Sequence, residues 1–190
     1  SPKSVEYDVT FPFIRQIQGP SDYTQGSYRN VTEESFRIDW HNPMSKGTRA
    51  HQVAAYVVFD SPLAMLCDSP SLYQAEVPCT EFIASLPTVF DRTEILAGEL
   101  GSFIVTAREK DGVWYIGALT DWNDRRINIS LDFLEKGREY SIRSLEDTLE
   151  SGLTPTSHKI SDRAMTGGDV LTIPLAAGGG ACYVIKPVSK

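Results

Sequence analysis

The sequence predicts an α+β chain in which a short helix-and-parallel-strand segment precedes an antiparallel β-sandwich. Three observations carry that expectation. Residues 47–60, GTRAHQVAAYVVFD, place Ala50, Val53, Ala54, Val57 and Val58 at helical spacing. LAMLCD, Leu63 to Asp68, is a continuous apolar run that stops at an acid, as a parallel strand covered on both faces does. After Pro87, eight short strand-like runs recur at roughly ten-residue intervals, the spacing of a sandwich.

Gly47 and Pro62 bracket the helix, and Pro62 must end or follow it because proline lacks the amide donor and clashes with the preceding turn. A helix followed by a buried strand is an α/β pattern. Thr80 is expected to cap a second short helix, TEFIASL, and Thr32 to open another with Glu33 and Glu34 in its first turn. Strands are expected near 93–100, 102–109, 113–120, 126–132, 139–145, 156–164, 169–174 and 181–187. Asp111-Gly112 between two apolar runs signals a tight hairpin. In RINISLDF, Ile127, Ile129, Leu131 and Phe133 alternate with Asn128, Ser130 and Asp132, so one face is buried and one is wet. Gly178-Gly179-Gly180 is too short for a linker and suits a tight connection into the last strand. The chain therefore divides into residues 1–86 and 87–190.

Composition narrows the function classes. The 190 residues are 41% apolar and 23% charged, ordinary for a soluble globular protein. No apolar run is long enough to span a membrane. No basic start followed by an apolar core marks a signal peptide. Net charge is −7 with no Lys/Arg block, which argues against a nucleic-acid partner. Cys67, Cys79 and Cys182 are odd in number and far apart, and match neither a disulfide framework nor a zinc pattern. Cys67 and Cys182 lie in apolar runs, where cysteine acts as a small core residue.

The first 70 residues offer one strong helix, one buried strand and loop-like stretches. A parallel strand needs paired neighbours. Few candidates are present, so the expectation is that its partners lie outside this sequence and that residues 1–84 pack poorly alone. The blocks GPSDYTQGSYRN (19–30), MSKGTRAHQVAAYVVFDSPLAMLCDSPS (44–71), CTEFIASLPTVFDRTEILAGELGSFIV (79–105) and WYIGALTDW (114–122), with the closing LAAGGGACYVIK (175–186), together resemble the C-terminal part of glycoside hydrolase family 97. The match runs in order over nearly the whole chain.

That resemblance implies an α-glucosidase or α-galactosidase, retaining or inverting, periplasmic or secreted in a bacterium. It implies an N-terminal β-sandwich, a central (β/α)8 barrel and a C-terminal β domain, with calcium in the active site of the full-length enzyme. On this basis residues 1–86 are the end of the catalytic barrel, incomplete here. Residues 87–190 are the antiparallel C-terminal β-sandwich, with a structural or oligomerisation role. The implied partners are the rest of the catalytic domain, a second copy of the chain, and an α-glycoside substrate of the whole enzyme. The catalytic carboxylates and calcium ligands would lie before residue 1. Ser21, Gln25 and Cys67 depart from the family's pattern without touching that chemistry.

Glycoside hydrolysis needs two carboxyls, about 5–5.5 Å apart for retention or about 6.5–9.5 Å for inversion. Asp68 ends a barrel-type strand, where barrel enzymes place site residues. Asp22 and Tyr23 lie on a loop of the right kind. These three are the candidates for lining a substrate cleft, holding sugar hydroxyls rather than moving protons. As plain structure, Asp68 would cap the Ser69-Pro70 turn and Asp22 the turn before Tyr23. No catalytic residue and no metal ligand is assigned: His41, His51 and His158 lack a metal spacing, and no nucleophile elbow occurs. The alternative function is a carbohydrate-binding module using exposed aromatics such as Trp122, with Trp114 expected inside the sheet core.

Overall fold

The computed structural model describes residues 5–188. In chain order the helices are α1 (Val5–Ile14), α2 (Arg49–Val58), α3 (Pro70–Ala75) and α4 (Val77–Ala84). The strands are β1 (Tyr23–Gln25), β2 (Asn30–Val31), β3 (Ser45–Lys46), β4 (Ala64–Leu66), β5 (Arg92–Glu99), β6 (Phe103–Lys110), β7 (Val113–Thr120), β8 (Arg125–Ser130), β9 (Glu139–Glu146), β10 (Lys159–Thr166), β11 (Val170–Leu175) and β12 (Gly180–Pro187).

Strands β5–β12 form an antiparallel β domain, with each expected strand present to within a few residues. Six of them make one sheet in the order β10-β9-β12-β7-β6-β5, and β8 pairs with β11 in a second sheet. Asp111 (φ 51) and Gly112 (φ 78) turn β6 into β7. Positive φ at both central positions gives the turn whose twist matches paired strands. The second sheet packs on the first through Ile129, Leu171 and Ile173 against Ile116, Ile142 and Tyr183.

The opposite face of the large sheet carries α2. Thr48 caps that helix in an extended conformation, its hydroxyl accepting from the His51 amide at 3.1 Å. Val53, Ala54 and Val57 are fully buried. At Gly117 of β7 the helix comes so close that a Cβ would lie 2.8 Å from the Ala54 carbonyl oxygen. On its other side α2 meets β1, which runs parallel to β4 with Tyr23, Thr24 and Gln25 opposite Ala64, Met65 and Leu66. Two parallel strands joined through a helix are the basic α/β unit.

Several sequence expectations need correction. LAMLCD does form a parallel strand, but not a buried one: Leu63, Met65 and Leu66 are 59%, 46% and 51% exposed. The pair β1–β4 is a two-stranded sheet, so neither strand has a second neighbour among the described residues. Cys67 is exposed for the same reason, whereas Cys182 is buried as expected. Thr80 lies inside α4 rather than capping it, because the helix starts at Val77, three residues before TEFIASL, with Pro78 in its first turn. Its hydroxyl instead bonds the carbonyls of Tyr73 and Glu76. Glu33 and Glu34 sit in a turn, not a helix, where the Thr32 hydroxyl accepts from the Ser35 amide. The expected looseness of residues 1–84 is also absent from the described part. Val9, Phe11, Tyr23, Phe59 and Phe82 share one core cluster with Tyr115, Leu119 and Cys182 of the sheet.

Candidate functional site

Parallel strands carry ligands at their carboxyl ends. At the ends of β1 and β4 a cavity of about 260 Å³ opens, lined among others by Thr24, Ser27, Met44, Lys46, Cys67 and Asp68. Asp8, Tyr23 and Gln52 also border it. Pockets that enclose a small ligand run from roughly 300 to 1,000 Å³, so this one has the size of part of a cleft.

Backbone amides leaving β1 are taken up by side chains. Gln52 Oε1 accepts from the Gly26 and Ser27 amides at 3.2 and 3.3 Å. Asp68 Oδ2 accepts from the Tyr28 amide at 2.6 Å, and Oδ1 accepts from Arg29 Nη1 at 3.2 Å. Asp68 therefore ties the end of β4 to the loop after β1, and does not cap the Ser69-Pro70 turn. Gly26 (φ 87) permits that loop to pass Tyr56: a Cβ would sit 2.5 Å from the Tyr56 hydroxyl.

The three sequence candidates separate here. Asp68 and Tyr23 border the cavity, whereas Asp22 is exposed and does not. Tyr23 points its hydroxyl to Asp8 Oδ1 on α1. Burial, then the Asp8 charge, pushes that hydroxyl's pKa well up. The other Asp8 oxygen faces His51 Nε2 at 3.1 Å, and His51 Nδ1 faces the Gly179 carbonyl at 3.0 Å. Both ring nitrogens thus meet oxygens, and one proton must lie between His51 and Asp8. Each carboxylate bordering the cavity is engaged by its own structure. That suits holding a wall in place, not acid/base exchange with a substrate.

The calcium implied by the family resemblance finds no donor set here. Asp8 and Asp68 face His51 and Arg29 rather than a shared point, and no group of three His, Cys, Asp or Glu converges among the described residues. Trp122, offered as an exposed sugar platform, is instead half-buried. Its ring lies against Gly178, where a Cβ would come within 2.4 Å of it, and its indole nitrogen is buried. Trp114 is buried in the sheet core as expected.

Sequence reading missed Asp8, Arg49 and Gln52 as organisers of this region. The signal was present in Arg49, His51 and Gln52, polar residues breaking an otherwise apolar helix that is buried on all sides.

A second buried carboxylate joins the layers. Asp147 accepts from the Ala176 and Gly180 amides at 3.0 and 2.9 Å. Burial raises its pKa from 3.8 to about 6, against the opposing pull of Thr48, those two amides and His51. The folded chain then holds this proton more tightly than the unfolded chain does. Stability from Asp147 is full below about pH 4 and falls as pH rises through about 6, by on the order of 3 kcal/mol. Denaturant titrations at pH 4, 5, 6 and 7 should show that fall, and Asp147→Asn should flatten it. An unchanged slope in the variant would assign the effect elsewhere.

Comparison with known proteins places these features. Residues 89–186 match the family described as glycosyl-hydrolase 97 C-terminal, oligomerisation. A retaining alpha-galactosidase of Bacteroides thetaiotaomicron is 43% identical over 182 residues, covering 96% of this chain and 27% of that protein. A probable retaining alpha-galactosidase of Streptomyces bingchenggensis is 28% identical over 184 residues, covering 95% of this chain and 26% of its own length. The solved structure of a glycoside hydrolase family 97 enzyme from Pseudoalteromonas sp. strain K8, in complex with acarbose, superposes with a TM-score of 0.87 at 33% identity. It covers 99% of this chain and 29% of that one. The chain thus spans about a quarter of the length of the curated relatives it matches. It belongs to the glycosyl-hydrolase 97 C-terminal, oligomerisation family.

Proposed function

We propose that this chain is the C-terminal part of a bacterial α-glycoside hydrolase, periplasmic or secreted, and that it serves that enzyme structurally. Residues 1–86 finish a (β/α)8 barrel whose other strands lie upstream. Residues 87–190 are the β-sandwich domain that buttresses the barrel and joins copies of the enzyme. α-Galactosides come ahead of α-glucosides as substrates of the whole protein, because the Bacteroides and Streptomyces relatives are named alpha-galactosidases. Calcium and the catalytic carboxylates belong to the upstream part.

The observation that carries this reading is the pair β1–β4. Two parallel strands with an intervening helix are packed firmly on one side, yet Met65 and Leu66 of β4, and Leu63 just before it, are exposed. A barrel wall would cover them. The test is hydrolysis of nitrophenyl α-galactoside and α-glucoside by the purified chain with calcium present. No turnover is expected. Turnover that disappears in Asp68→Asn would overturn the reading and make this cavity an active site.

A further inference from the structure

We propose that Arg49 is a positioning residue through which the β domain fixes the shape of the cavity at the ends of β1 and β4. The inference rests on the reading of that cavity as part of a cleft, and adds how it is held. Arg49 is 3% exposed and stands at the start of α2, where helix amides lack intrahelical partners. The β domain supplies those partners. The Arg49 amide donates to the Pro155 carbonyl at 2.7 Å, and the Thr48 amide to the Gly178 carbonyl at 2.9 Å. Pro155 lies in the connection from β9 to β10, which Ser151 stiffens by bonding the Thr148 amide and the Ser157 carbonyl.

The Arg49 side chain then grips the loop leaving β1. Nη2 donates to the Tyr28 carbonyl at 2.6 Å and Nε to Asn30 Oδ1 at 3.1 Å. Its guanidinium lies 4.6 Å from the centre of the Tyr28 ring, and Nη1 pairs with Glu76 at 2.9 Å, between α3 and α4. Asn30 passes the constraint on, donating to the Ser27 carbonyl at 2.8 Å and to Ser45 at 3.2 Å. Ser27 and Ser45 both line the cavity, and the Tyr28 amide holds Asp68. One planar fork thus converts the seating of α2 on the β domain into the position of the cavity wall. A lysine could not make these separate bonds at once.

Hydrogen exchange on this chain tests it. In Arg49→Ala, the amides of Gly26, Ser27 and Tyr28 should exchange roughly ten- to a hundredfold faster. Ile116 and Cys182 in the sheet should stay at wild-type rates. Millimolar guanidinium should restore protection at the loop, and ammonium should not. Ser151→Ala, which loosens the Pro155 connection without touching the cavity, should speed the same three amides. Unchanged loop exchange in Arg49→Ala overturns the proposal. So does a Ser151→Ala variant that leaves the loop at wild-type rates, which also decides the matter if Arg49→Ala loosens the whole chain. No glycoside is used, so this result stands apart from the turnover assay.

Discussion

Gly180→Ala is expected to destabilise the chain by about 3 kcal/mol or more, at or beyond the upper end of usual overpacking costs. A Cβ at Gly180 would lie 2.5 Å from the His51 Cα, 2.8 Å from its amide nitrogen and 2.9 Å from the Ala50 carbonyl oxygen. All three are backbone atoms of a helix buried on every side, so no side chain can swing away. Either β12 or α2 must shift, and the Asp147–Gly180 bond shifts with it. Gly152→Ala is the control: its nearest neighbour would be 4.0 Å away, and a change within about 0.5 kcal/mol is expected. Urea midpoints of the two variants check the pair. A Gly180→Ala loss as small as the control's would mean that the helix and sheet are not in the contact described.

His51→Leu is expected to cost about 3–5 kcal/mol, the range for leaving one member of a buried pair alone. His51 is fully buried, and its Asp8 partner is nearly so. Removing the imidazole strands an Asp8 oxygen and the Gly179 carbonyl together. Leucine fills most of the volume, so packing explains little of the loss. Asp8→Leu combined with His51→Leu should cost less than the two single changes added, because the second removes the group that the first left unpaired. Additive costs in denaturant unfolding would show that the two side chains are not coupled.

The β domain was legible from the sequence because each strand carries its own signal. Asp111-Gly112 marks a turn, RINISLDF alternates, and the apolar runs end where loops begin. Helix α2 was legible through Ala50, Val53, Ala54, Val57 and Val58, all buried. The partner of β4 was not. Tyr23-Thr24-Gln25 is three residues long and two-thirds polar, with no period to detect. Asp68 was found by its place at a strand end, yet its partners Tyr28 and Arg29 lie some forty residues away, beyond any local pattern. Tyr23 borders the cavity and Asp22 does not, because Asp22 falls just before β1 and is exposed. Asp8, Arg49 and Gln52 were passed over because a polar residue on a helix is normally at the surface. Only the tertiary packing of α1 and α2 makes them internal.

The bonding of α2 to the β domain also orders events during synthesis. The helix begins at residue 49, but the carbonyls that receive its first amides belong to Pro155 and Gly178. A chain still emerging from a ribosome has the helix sequence long before it has those acceptors. Segments made first generally fold first. Here the start of α2 reaches its final bonding only when the chain has been made through Gly178. Losing the residues from Gly178 onward would therefore also disturb α2, made well over a hundred residues earlier, and not only the part removed.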